Sequence, residues 1–193
     1  VPLIVDASSD VLTRELSFSE IALLYAGAQK CLGPAGLGVV VVRRDLLDRA
    51  PESVPSMLRY RDHAKAGSRL NTPPTALVWL TDQMLEWIEE EGGLPAMVER
   101  TEERARLVYA ALDASPEVFE TVAVPADRSR TNITFRLRAG REEDLLARAA
   151  ELGLTGLKGH RSVGGFRVSM YVGMPVEAAA RMAELLGAFA GSV

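Results

Sequence analysis

Hydrophobic positions follow two different patterns along this chain. In the first quarter they come in short unbroken runs, Leu3 to Val5, Ile21 to Ala26 and Val39 to Val42. Unbroken runs of this length read as strands covered on both faces, the pattern of a parallel sheet. Leu3 to Val5 predicts a buried parallel strand that ends at a site, because Asp6-Ala7-Ser8-Ser9 follows it. The β-branched run Val39 to Val42 predicts a central strand. Residues 51 to 74 lack a period and read as irregular. Pro73-Pro74 then opens a helix, with Leu77, Leu80, Met84, Leu85 and Ile88 near a 3.6-residue period and Gly92-Gly93 as its stop. Trp79 and Trp87 lie on this helix and read as core residues. A second helix is expected from Leu94 to Leu112.

After Ser115-Pro116 the pattern changes. Glu120 to Val124 and Thr131 to Arg138 alternate in the manner of half-exposed strands. A helix from Glu142 to Leu152, a strand from Gly165 to Tyr171 and a helix from Pro175 to Phe189 complete the chain. The order β-β-α-β-α describes a small α+β domain. The boundary is placed near Gly92, dividing the chain into residues 1–91 and 92–193 of an α/β protein.

Composition narrows the class. The chain has 193 residues, 48% of them apolar, enough for one large domain or two small ones. A net charge of −4 speaks against nucleic acid or an anionic membrane as partner, since both select a basic face. A small anionic substrate needs only a local cluster of cations. A single cysteine allows no internal disulfide and no cysteine-based zinc cluster, and fits the cytoplasm. Two histidines without clustered acids speak against any metal site, and no apolar stretch reaches the length of a membrane span. The chain lacks an initiator Met and opens directly on a strand, so a longer parent protein is expected.

Three segments can carry chemistry. Ala26-Gly27-Ala28-Gln29-Lys30 places an amine just after a buried strand, among small residues that let a flat ring approach the backbone. Desolvation there makes an amine a better nucleophile toward an aldehyde. Without that context Lys30 would read as an ordinary surface lysine. Asp6 sits at the C-terminal end of a strand, where open α/β sheets bind ligands. It can pair with a protonated pyridine nitrogen, or simply cap a turn. Lys158-Gly159-His160-Arg161-Ser162-Val163-Gly164-Gly165-Phe166-Arg167 gathers cations among glycines ahead of a strand. Two arginines and a histidine can grip a substrate with two acidic groups, or form a solvated basic loop. Gly33, Gly36 and Gly38 are no dinucleotide fingerprint, because a strand follows where a helix is required. His63 reads as a surface histidine and Cys31 as a small buried thiol.

With Asn71-Thr72-Pro73-Pro74 added, these segments resemble the phosphoserine aminotransferase family over the whole chain and in the family's order. The resemblance implies a fold-type I, class V enzyme dependent on pyridoxal 5′-phosphate (PLP) and working as a homodimer. The first part would be the C-terminal portion of the large PLP-binding domain, with a mixed, mostly parallel sheet. The small C-terminal α+β domain would follow. By the same match Lys30 bonds the cofactor, Asp6 pairs with its ring nitrogen and Gln29 contacts its phosphate. Asn71 and Thr72 reach the phosphate of the cofactor held mainly by the other subunit. Arg167 holds the substrate α-carboxylate, and His160 and Arg161 hold a distal phosphate or γ-carboxylate. The implied substrates are glutamate, phosphoserine and their 2-oxo acids. Alternatives are another class V enzyme, such as an alanine–glyoxylate aminotransferase, or a non-catalytic piece. Tyr171-Val172-Gly173-Met174-Pro175 stands where the family usually has Tyr-Asn-Ala-Met-Pro, and Cys31 where Asn is common. Members are about twice this length, so this chain alone is expected to bind PLP poorly.

Overall fold

In the computed structural model, which describes residues 1–138 and 140–193, the chain divides into two compact units, Val1–Leu94 and Pro95–Val193. The first unit holds a three-stranded mixed sheet in the order β1 (Leu3–Asp6), β2 (Ile21–Gly27), β3 (Gly38–Val42). β1 runs parallel to β2, with Asp6 opposite Tyr25. β3 runs antiparallel to β2, with Gly38 opposite Gly27. A single helical turn, α1 (Ala28–Cys31), follows β2 directly, and its Ala28 N–H donates to Leu37 O (2.9 Å). The small residues Ala26 and Ala28 are buried with Leu32 against Val11, Leu12, Leu37 and Val39.

Two expectations about this sheet are corrected. β3 is an edge strand rather than a central one, with Val40 and Val41 exposed. β1 is also an edge, and its Ile4 is 63% exposed. Among the described residues no element covers those side chains, so sequence runs suited to burial lie open. Two more corrections concern the helices. The segment read as irregular contains α2 (Tyr60–Lys65), too short to show a period. There Arg59 and Arg61 pair with Glu52, and Arg59 pairs with Asp62 at 2.8 Å. In α3 (Thr75–Glu90) Trp79 is 59% exposed, while Thr81 and Ile88 are the buried positions. Gly92 and Gly93, with φ of 104° and 72°, take the left-handed conformations that end α3 and open α4 (Gly93–Asp113).

The second unit is a three-stranded antiparallel sheet, β4 (Phe119–Thr121), β5 (Asn132–Leu137), β6 (Phe166–Ser169), joined by α5 (Glu142–Glu151) and closed by α6 (Val176–Ala190). Alternate positions Ile133, Phe135 and Leu137 turn inward. They meet Val108 and Leu112 from α4, Leu145 from α5, and Met182, Leu186 and Phe189 from α6 in one cluster. Phe135 stacks on Phe166 (5.0 Å between centroids, 11° between planes) and meets Phe119 edge-on at 5.7 Å. Gly153, at φ 74°, ends α5.

Candidate active site

In the first unit the site is built by the ends of two adjacent parallel strands. The Asp6 carboxylate accepts from the Ser8 amide (2.9 Å), a local turn that short acidic side chains favour. Ser8 Oγ in turn accepts from the Gly27 N–H at 3.0 Å. Ala7 N–H donates to Tyr25 O (2.8 Å), so the turn after β1 is laced to the end of β2. Asp6 is exposed, and its carboxyl is held below the usual carboxylate range. Ser8 is the main cause, through its hydroxyl and its amide, with smaller contributions from Tyr25 and the charge of Lys30. The neighbouring Asp6 charge raises the Tyr25 hydroxyl above its ordinary value. Asp6 is therefore a fixed anion at neutral pH.

Lys30 lies half-buried on α1, one residue from the buried Cys31, whose Sγ lies 3.7 Å from Ser9 O. Gln29 is exposed, and its amide folds back over Gly27, 2.5 Å from the place a Cβ at that residue would take. Of the three small residues before it, Ala26 and Ala28 are buried and Gly27 is half-buried. Asn71 and Thr72 are exposed, just ahead of Pro73-Pro74 and the start of α3. His63 is half-buried, with Nε2 2.9 Å from Met57 O.

The second unit carries the cationic segment as a closed loop. Lys158 bridges to Phe166, Gly159 N–H donates to Gly165 O (2.8 Å), and Arg167 N–H donates to Leu157 O (2.8 Å). Gly159 has to be glycine, because a Cβ there would lie 2.1 Å from Gly164 O. Gly164 and Gly165 take φ of 72° and 65°, and a Cβ on Gly165 would meet Phe135 O at 2.6 Å. His160 and Arg161 stand exposed on the loop. Arg167 stands at its base on β6, half-buried, with a buried Nε that has no hydrogen-bond partner among the described residues. Its side chain also lines a cavity of about 480 Å³ with Leu154, Tyr171, Met174 and Met182. His160 and Arg161 do not line that cavity.

Sequence reasoning passed over several supporting residues. Ser8, two positions after a strand-terminal acid, carries the usual signal of a side-chain turn. Arg104 is 1% exposed on the buried stripe of α4, in step with Met97, Thr101, Ala105, Val108 and Leu112. It donates to Thr101 Oγ1 (2.9 Å), to Val172 O (3.4 Å) and to Met174 O, pinning the turn between β6 and α6. Asn132 Oδ1 accepts from Tyr171 Oη (3.1 Å) and Ser169 Oγ (3.3 Å), contacts that only the β5–β6 pairing creates.

The family model of aminotransferase class-V matches residues 1–182, and the chain belongs to that family. Within it, the chain is 46% identical to the phosphoserine aminotransferase of Geobacillus kaustophilus (strain HTA426), over 98% of this chain and 53% of the relative. It superposes on the phosphoserine aminotransferase of Bacillus circulans subsp. alkalophilus with a TM-score of 0.94 at 41% identity, over 100% of this chain and 54% of that one. A structure described as radiation damage of the Schiff base in phosphoserine aminotransferase gives the same TM-score at 42% identity, over 100% and 53%. The chain spans about half the length of the curated relatives it matches. Among the described residues no helix is long and apolar enough to cross a membrane, and no group of acids, histidines and cysteines could hold a metal ion.

Proposed function

We propose that this chain carries the C-terminal half of a phosphoserine aminotransferase. The enzyme would move an amino group between L-glutamate and 3-phosphohydroxypyruvate, giving 2-oxoglutarate and O-phospho-L-serine. The observation that carries this reading is the lacing of Asp6 to the end of β2 through Ser8 and Gly27. It fixes an ionised carboxylate one strand away from the segment that bears Lys30. Those residues fit PLP. Asp6 supplies a standing anion for a protonated ring nitrogen, and the half-buried Lys30 supplies an amine for the aldehyde. When bound, PLP supplies an electron sink for the charge that develops at the substrate Cα.

The chain's own residues then divide the work. With PLP in place, Lys30 Nζ would be the amine that holds the cofactor through its aldehyde, and the same amine would act as the base that moves the proton at the substrate Cα. Gln29 donates to the cofactor phosphate, and Asn71 and Thr72 do so for the cofactor of a partner subunit in a homodimer with shared sites. Arg167 grips the α-carboxylate, a role suited to a half-buried arginine that lines a cavity. His160 and Arg161 hold the distal phosphate or γ-carboxylate, so one set of cations serves both half-reactions. Residues 1–91 belong to the large PLP-binding domain and residues 92–193 form the small C-terminal domain. The single, buried Cys31 agrees with a reducing cytoplasm, and the proposed reaction would place the enzyme in serine biosynthesis.

The test uses the full-length protein. Added PLP is expected to give the visible absorbance of a lysine-linked cofactor. In Lys30→Ala that band disappears and the glutamate–phosphohydroxypyruvate rate falls by at least about 10³-fold. Normal uptake and turnover in that variant would overturn the assignment.

A further inference from the structure

Of the residues in the cationic loop, Ser162 has no role in the reading above. His160 O accepts from Val163 N–H (2.9 Å) and from Gly164 N–H (2.8 Å), so the backbone turns tightly over residues 160–164. That turn brings Ser162 back beneath its neighbour's ring. The Ser162 amide donates to His160 Nδ1 at 3.3 Å, and Ser162 Oγ lies 2.8 Å from the same nitrogen. A nitrogen that faces a backbone N–H is an acceptor, because a proton on it would point hydrogen at hydrogen. In a neutral imidazole the ring proton then resides on Nε2.

We propose that Ser162 is a positioning residue, whose amide and hydroxyl occupy His160 Nδ1 so that Nε2–H is the group offered to the substrate's distal anion. This rests on the reading of His160 as an anion ligand. The hydroxyl contributes the shorter of the two contacts, and without it only the long amide contact at 3.3 Å holds the exposed ring. The ring then turns to other rotamers in which the amide no longer meets Nδ1, and there the tautomer with a bare Nε2 lone pair, which repels an anion, becomes populated. Arg161 provides charge at the same place, and Ser162 decides whether the histidine adds a directed donor to it.

The test is made on the full-length protein labelled with ¹⁵N-histidine, the His160 signals being identified by their loss in His160→Gln. The wild type is expected to show an acceptor-type Nδ1 and a protonated Nε2, with the Nε2 signal moving on titration with inorganic phosphate. In Ser162→Ala the two nitrogens drift toward averaged shifts and the phosphate midpoint rises. The KM for phosphoserine rises about fivefold while kcat stays within about twofold, the size of one lost hydrogen bond. Ser162→Thr, which keeps the hydroxyl, restores both readouts. A wild-type ring protonated on Nδ1, or a Ser162→Ala variant with unchanged nitrogen shifts and phosphate midpoint, overturns the proposal. A wild type that binds phosphate at His160 but does not transaminate phosphoserine overturns the functional reading and leaves the role of Ser162 standing.

Discussion

The two units bury their apolar residues to very different degrees. In the second, the inner faces of β4, β5 and β6 close against α4, α5 and α6, and Phe135, Phe166, Leu145 and Leu186 are almost fully enclosed. In the first, the cluster beside the candidate site consists of Ala26, Ala28 and Leu32. Leu3, Ile4, Val40 and Val41 lie open on its two edge strands. A sheet edge with apolar side chains is a surface made to be covered. The second unit therefore holds its cationic loop on a packed base. The first presents Lys30 and Asp6 beside a small sheet with apolar side chains open on both edge strands, in a chain that spans about half the length of its relatives.

That contrast can be broken experimentally. The largest effect is expected from Phe135→Ala, which removes one stacked and one edge-on ring partner from an enclosed position. It should cost about 3–5 kcal/mol in urea unfolding followed by circular dichroism. A loss below about 1 kcal/mol would mean that the second unit is no better packed than the first.

Arg104→Met comes next. It keeps the side-chain bulk but removes the donors that reach Thr101, Val172 and Met174. Stranding buried acceptors should cost about 2–3 kcal/mol in the same assay. The turn from β6 to α6 should exchange its amide hydrogens faster.

Val40→Lys probes the open edge of β3. In this chain it should change stability by less than about 0.5 kcal/mol, read from the fluorescence of Trp79 and Trp87, and should reduce self-association in light scattering. In the full-length protein the same change should cost about 2 kcal/mol or more, if additional chain buries that residue. Equal small costs in both would mean that β3 stays an edge.

The smallest effect is that of pH. Asp113, bonded by both Arg128 terminal nitrogens (2.6 Å each), and Asp144, bonded chiefly by Arg148 and then Arg141, are held below the carboxylate range. The folded chain therefore gives up these protons more readily than the unfolded chain. The stability they lend is complete above the unfolded values, at about pH 4, and is lost as pH falls through the lowered folded values. The urea midpoint should be flat between about pH 6 and 8 and fall below about pH 4, with part of the fall removed in Asp113→Asn. Solvent screening keeps this contribution small, since both carboxylates are exposed to water.

Much of the architecture was legible in local patterns. Period and punctuation placed α3, α4, α5 and α6 to within a few residues, because proline and glycine mark helix ends through fixed backbone preferences. The alternation over residues 131–138 announced β5 for the same kind of local reason. The strand ends at Asp6 and Gly27 and the glycine-rich cationic loop were visible as residue types in order. The supporting contacts were not. Ser8 reaches Gly27 across 19 residues, Arg104 reaches Met174 across 70, and Asn132 reaches Tyr171 across 39. Such partners have no local signal.

The sequence by itself determined where the four long helices begin and end to within a few residues, which positions are apolar, and which side chains carry an amine, a carboxylate or a guanidinium. Those properties are set by nearest neighbours and by covalent chemistry. Tertiary structure alone decided that β3 is an edge, that Trp79 faces water, that Ser8 reaches Gly27 and that Arg104 reaches the turn before α6. Exposure and charge state depend on what else comes within a few ångströms of a group. In this chain that is settled by strand pairing, turns and burial rather than by residue type.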